Sequence, residues 1–455
     1  MPNFTMEPLE SLEPRKLLAG VTILAHGYQG SINGWVATVA DNIALRAGGN
    51  ASASEYVMSV GRNGQNQLAV LSYAREGGWS APRDTDSAEI IVQLDWQSVS
   101  DGSFSTDEVA HVVSDWLIGA DSDGVRLAEL PLHLIGHSRG ASLMTAVARD
   151  LGERGIWVDQ QTNLDPHPID GRDDPLGGVD FGDQSMVTFD NVAFADTYWR
   201  DDADARTFDG DDVAGSHNLN LNNSVQQEFF DAAHNEVPSY YDGTINFDAG
   251  NSGNSPIFDS WYGSDAGNPA RDQTGFLYSR IVRGARPADG SWTQSNGTAQ
   301  RTAAGEAGDQ WANLTDIRVM GGRTFATGQG LTIRLLRQDR EGRGNIALFL
   351  DPDTNPYNDN NARTLRRTNV REAEEIVGTR QRGATSGAPT GRYFVGARIV
   401  DSSGHVRYAY SKRIELVDAP AASGADHAAR SIDPTIAMRT AAKSSDLSDE
   451  LEFLA

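Results

Sequence analysis

Cysteine is absent from the 455 residues, so disulfides, thiolate metal sites and a cysteine nucleophile drop out together. Lysine is scarce, occurring only at Lys16, Lys412 and Lys443, which leaves arginine to carry nearly all positive charge. Positive charge is itself in deficit: 38 Lys and Arg stand against 63 Asp and Glu, a formal net charge of -25. Such a chain is repelled by phosphate backbones and anionic lipid surfaces, which argues against a nucleic-acid partner. No apolar run nears the roughly 18 residues of a membrane-spanning helix, so no transmembrane segment is expected. The N-terminus also lacks the charged segment, apolar stretch and small-residue cleavage site of a secretory signal.

What is present suffices for two folded units, since 39% of the residues are hydrophobic and the length exceeds that of one ordinary domain. From about residue 19 to 197, short apolar runs alternate with helical patterns, as a mostly parallel sheet covered by helices requires. Strand candidates are 21–25, 90–96, 132–135 and 192–195. Ser105 and Glu108 form a capping-box pattern ahead of Val109, Val112, Val113, Trp116 and Leu117, which share one helical face. A second helix follows Gly140, with Leu143, Ala146, Val147 and Leu151 along one side. Residues 198–300 read as long irregular connections with one helix near 225–233. After about residue 313 the period becomes two: Leu331, Ile333 and Leu335 alternate, as do Ile346, Leu348 and Leu350, and Tyr393, Val395, Ala397 and Ile399. The expected organisation is therefore an N-terminal arm (1–18), an α/β domain (19–300), an independent immunoglobulin-like β-sandwich (313–417) and a disordered tail (418–455).

The chemistry concentrates in Gly136-His137-Ser138-Arg139-Gly140, where an apolar strand precedes and a helix follows. That sharp turn lifts a serine hydroxyl above a sheet, and the glycines let strand and helix approach closely. A serine hydroxyl is a poor nucleophile, so the reading demands a histidine base, an acid to orient it and donors for an oxyanion. Upstream, Val21 to Ala25 runs into the turn His26-Gly27-Tyr28. With these two elements the chain resembles the α/β-hydrolase superfamily over roughly residues 20–285. That resemblance implies an oxyanion hole made by the backbone N–H groups of Tyr28 and Arg139, with His26 structural.

For the acid, two positions stand open. Asp196 follows the strand at 191–195, where most α/β-hydrolases place theirs, whereas Leu164-Asp165-Pro166 and Leu94-Asp95-Trp96 are similar to strings of the pancreatic and lipoprotein lipase group and favour Asp165. For the base, His217 and His234 lie in the correct part of the chain, and the string around His234, ahead of Tyr240 and Tyr241, is similar to the histidine loop of bacterial lipase-like proteins. The resemblance thus implies Ser138, His234 and Asp165 as a triad that needs no cofactor. Trp96 and Tyr241 are candidate substrate-binding residues, beside Trp35, Trp199 and Trp261. The lipase likeness is incomplete: His167-Pro168 continues the Leu-Asp-Pro string, and no disulfide-tied lid can form.

Two acidic loops could hold a cation. Asp351, Asp353 and Asn355 place oxygen-bearing side chains at alternate positions, which suits calcium, although the glycine and terminal glutamate of an EF-hand are missing. Asp201, Asp202, Asp204, Asp209, Asp211 and Asp212 form the other. Near the start, Leu12-Glu13-Pro14-Arg15-Lys16-Leu17-Leu18 resembles the LEPR-XLL motif of exported or surface proteins of planctomycetes and some other Gram-negative bacteria, which implies an exported or cell-surface protein. Two function classes follow. One is a serine hydrolase acting on small or polymeric carboxylic esters; the other is an inactive hydrolase-like surface protein that binds a partner through its β module.

Overall fold

A computed structural model describes residues 20–80, 89–121, 125–171, 177–201, 210–225, 232–247, 257–282, 284, 286–287, 311–338, 343–358, 360–361, 363–371, 375–381 and 385–419. The N-terminal motif, nearly all of the expected tail and the loop residues Asp202, Asp204 and Asp209 lie outside them.

The first region is an eight-stranded sheet built from β1 (Val21–Ala25), β2 (Ala53–Arg62), β3 (Leu68–Ser80), β4 (Glu89–Asp95), β5 (Leu132–His137), β6 (Gln160–Leu164), β7 (Ala195–Trp199) and β8 (His217–Asn220), in the order β3-β2-β4-β1-β5-β6-β7-β8. Every pairing is parallel except β2 with β3, a hairpin at the edge. Strands β1, β4 and β5 fall where their apolar runs predict. The others are harder to see: β6 reads Gln-Gln-Thr-Asn-Leu, polar yet buried, because its side chains bond to one another, to Asp196 and Thr197 of β7 and to Thr145 of the helix above. The fourth expected strand, 192–195, begins instead at Ala195, so Asp196 lies within β7 and not after it.

Helices α1 (Trp35–Ala47) and α4 (Ala232–Gly243) pack on one face of the sheet, α2 (Thr106–Ile118) and α3 (Arg139–Glu153) on the other. The alternation of β1 shows why both faces need cover: Val21, Ile23 and Ala25 join one apolar cluster and Leu24 the other. Helix α2 starts with the expected box, Ser105 Oγ accepting from Glu108 N at 3.3 Å and the Glu108 carboxylate accepting from Ser105 N at 2.9 Å. Caps of this kind are each worth about 1 kcal/mol.

The second region contains β9 (Asn313–Met320), β10 (Thr324–Ala326), β11 (Leu331–Gln338), β12 (Arg343–Asp351), β13 (Arg363–Arg371), β14 (Glu375–Gln381), β15 (Gly391–Asp401), β16 (Val406–Tyr410) and β17 (Ile414–Val417). A three-stranded sheet (β14-β11-β9) faces a six-stranded one (β10-β17-β15-β12-β13, with β16 on β15). Residues of alternating period from both sheets form a single core: Ile317, Ile333 and Leu335 from one, Ile346, Leu348, Val395 and Ile399 from the other. The module also joins the first region directly. Trp311 is buried in the α2/α3-side core, Asn313 accepts from Trp157 N at 3.0 Å, Arg407 donates to Trp157 O at 2.9 Å, and Tyr357 Oη donates to Glu129 at 3.0 Å. Its packing is thus less independent than the periodicity suggests.

Candidate active site

The elbow at Ser138 requires its glycines. A Cβ on Gly136 would meet Gly140 O at 2.3 Å, and one on Gly140 would meet His26 O at 2.4 Å, so neither position admits a side chain. Ser138 itself sits at φ 56°, ψ -131°, a conformation rare for a non-glycine residue and held here between β5 and α3. Such strain aims the hydroxyl outward from the carboxyl ends of the strands, where ligands of open parallel sheets bind.

Beside it lies the turn after β1. A Cβ on Gly27 would stand 2.7 Å from Ser138 Cβ, which fixes how close the two turns come. Trp96 Nε1 donates to His26 O at 2.9 Å and its indole stacks on His26 at 5.8 Å. Burial lowers the pKa of His26, so it packs as a neutral ring. Among the described residues, neither Tyr28 N nor Arg139 N donates a hydrogen bond. Arg139 N opens helix α3, where the first N–H groups have no intrahelical acceptor and the helix dipole favours negative charge.

Asp165 follows β6 at φ 43° and is 1% exposed. Its Oδ1 accepts from Arg200 N at 2.7 Å, and its Oδ2 lies 2.6 Å from His234 Nδ1. Packing leaves no slack, because a Cβ on Gly210 would fall 2.1 Å from Oδ1. His234 lies in the first turn of α4, not in a loop after a helix. The expected helix at 225–233 falls largely outside the described residues. His137, to which the motif assigns no part, holds that turn: its Nε2 faces His234 O at 2.9 Å, with the rings 4.5 Å apart. Burial and the neighbouring His234 keep the His137 pKa well below its ordinary value, so a neutral ring donates Nε2–H to the carbonyl. No described residue bonds to Ser138 Oγ, so the set is joined at Asp165–His234 and open at Ser138. Apo hydrogen bonds of this kind are commonly loose.

The alternatives go elsewhere. Asp196 is fully buried in mid-strand and accepts from Thr162 Oγ1 at 2.7 Å, Gln160 Nε2 at 3.0 Å and Tyr198 Oη at 2.9 Å. His217 is its register partner on β8 and meets Tyr278 edge-on. Trp96 and Tyr241, expected to bind substrate, are both 0% exposed and belong to the two cores. Trp96, just after β4, and Tyr241, on the sheet-facing side of α4, are large rings whose burial between sheet and helix outweighs exposure at the site. Partly exposed aromatic residues do reach the site: Trp35 against His137 at 5.8 Å, and Tyr28 against Phe181 at 5.8 Å.

Asp351, Asp353 and Asn355 form a ladder of Asx turns. Asp351 accepts from Asp353 N at 3.1 Å, Asp353 from Asn355 N at 2.8 Å, and Asn355 from Tyr357 N at 3.0 Å. Burial, with the Asp353 charge, pushes the Asp351 carboxyl up to about 8. Among the described residues, no group of three or more His, Asp or Glu is placed to hold a metal ion, and no helix is long and apolar enough to cross a membrane.

No family model and no curated protein matches the chain. Among solved structures, the chain aligns with OgpA from Akkermansia muciniphila, once as the catalytically inactive protein in complex with an O-glycopeptide (glycodrosocin) substrate, at 8% identity and TM-score 0.19 over 88% of this chain and 93% of that one. The wild-type OgpA structure aligns at 9% identity and TM-score 0.18, over 87% and 93%. Likeness at these values carries no argument about fold or activity.

Proposed function

We propose that the chain is a serine hydrolase of the α/β-hydrolase type that cleaves carboxylic esters through an acyl-enzyme. Ser138 Oγ attacks the ester carbonyl, His234 takes its proton and later returns it to the leaving alcohol, and Asp165 holds the imidazole in one tautomer. The backbone N–H groups of Tyr28 and Arg139 receive the oxyanion, each such donor being worth roughly 3 to 4 kcal/mol in a serine protease. Water then attacks the acyl-enzyme by the same base. The observation that carries this reading is the 2.6 Å contact of Asp165 with His234, whose ring lies 4.5 Å from that of His137, the neighbour of the strained Ser138. Partly exposed Trp35 and Tyr28 are the aromatic groups best placed to receive an acyl or aryl group. Hydrolysis of short p-nitrophenyl esters, run beside Ser138→Ala, tests it. Turnover by the wild type and none by the variant is the expected result; equal rates for both would remove the proposal and leave the partner-binding reading.

A further inference from the structure

The residue that offers its N–H to the oxyanion also buries a full positive charge. The Arg139 side chain is 0% exposed, as is that of Asp183. Its Nε donates to Asp183 Oδ2 at 2.7 Å and one Nη to Oδ1 at 2.9 Å, while the other Nη–H groups reach Ser100 O and Phe104 O, both at 2.9 Å. Trp96 and Phe181 flank the guanidinium at 5.3 and 4.8 Å from their ring centres.

Each partner leads to a different catalytic turn. Ser100 Oγ accepts from Gln29 N at 3.1 Å, next to Tyr28, the other oxyanion donor. Asp183 accepts from Ile169 N at 3.1 Å, on the segment that leaves Asp165, and from Thr106 N at 3.1 Å, at the start of α2. One guanidinium therefore ties the turn after β1, the elbow before α3 and the segment after β6 to one another.

A buried ion pair is a poor device for stability, because desolvating two charges offsets much of their attraction, and apolar replacements are often neutral. Its rigid fork is well suited to something else, namely fixing three chain segments at set angles. We infer that the Arg139–Asp183 pair is a positioning device that holds the Tyr28 and Arg139 N–H groups at the spacing an oxyanion needs. This rests on the serine-hydrolase reading.

The test compares wild type with Arg139→Lys, which keeps the charge but loses the fork, and with the apolar pair Arg139→Met/Asp183→Leu. Active sites are counted by titration with a fluorophosphonate, and kcat, KM and the Ki of an alkyl boronic acid are measured per titrated site. Loosened donors lower kcat by roughly tenfold to a hundredfold, short of the ~10²–10³ for outright loss of a donor. KM stays within about twofold, and the boronate Ki rises in step with the fall in kcat/KM, since that analogue carries the oxyanion geometry. A purely structural pair would reduce the number of titrated sites while each kept wild-type kcat and Ki, and that outcome overturns the inference. Wild type that neither labels at Ser138 nor hydrolyses ester would remove the hydrolase reading and this inference with it.

Discussion

Two Asp-bearing loops at strand ends attract attention in this molecule, one after β6 and one after β12, and they differ in where their partners come from. At Asp165 the partner His234 is 69 residues away, and His137 reaches His234 across 97. At Asp351 and Asp353 the acceptors are filled by groups two to seven residues on, save for Tyr410 Oη at Asp351. A loop satisfied by its own neighbours is a turn that keeps itself in shape. A loop whose carboxylate waits for a side chain brought by tertiary folding gives up stability for geometry, which is what the proposed reaction requires.

The largest expected effect breaks the comparison outright. Ser138→Ala or His234→Ala should lower ester turnover by roughly three orders of magnitude or more, while Asp353→Asn leaves kcat within about twofold; steady-state kinetics on p-nitrophenyl butyrate read both, and a loss in the β-module variant would unite the two loops. Next come the two candidate acids. Asp165→Asn should lower kcat by about 10³ to 10⁴ through the wrong imidazole tautomer, whereas Asp196→Asn should cost on the order of 1–3 kcal/mol of stability and leave turnover near normal. The reverse result would move the acid to β7. His137→Phe, which keeps a ring but removes the donor to His234 O, should lower kcat about tenfold with KM steady; unchanged kinetics would show that α4 holds His234 unaided.

Smaller effects sharpen the picture of the β module. The folded Asp351 carboxyl, raised to about 8, binds a proton that the unfolded chain releases near 4. Its stabilising contribution is therefore complete below pH about 4 and is lost as pH rises through about 8. Glu89, also raised to about 8 by burial, acts in the same direction, so only a difference between proteins is diagnostic. Between pH 5 and 8, Tm of Asp351→Asn should fall less than that of the wild type, by on the order of a few degrees. The smallest effect concerns calcium: with the ladder already shaped by its own amides, adding calcium to a chelated sample should move Tm by less than about 2 °C. A rise of many degrees would make Asp351, Asp353 and Asn355 a cation site.

Much of this architecture was legible because it is local. Strands β1, β4 and β5 are short apolar runs, the α2 capping box is spelled by Ser105 and Glu108, and the elbow glycines mark a turn that no other residue could make. Strand β6 was obscure because its side chains are polar, and only the hydrogen bonds of Thr162 and Asn163 to β7 and of Gln161 to Thr145 in α3 make them acceptable inside. Arg139 shows the same divide within one residue: the family resemblance implies a role for its backbone N–H, but nothing near Asp183 announces the ion pair.

By itself, then, the sequence determined the serine elbow, the α/β and β regions and the short list of acids and bases, since each depends on neighbours in the chain. Tertiary structure alone paired His234 with Asp165 while bonding Asp196 to Thr162, Gln160 and Tyr198, placed His137 behind His234 and drew Trp96 and Tyr241 into the core. Those choices depend on which groups meet across the ends of parallel strands, and crossovers of many residues separate such groups in the chain.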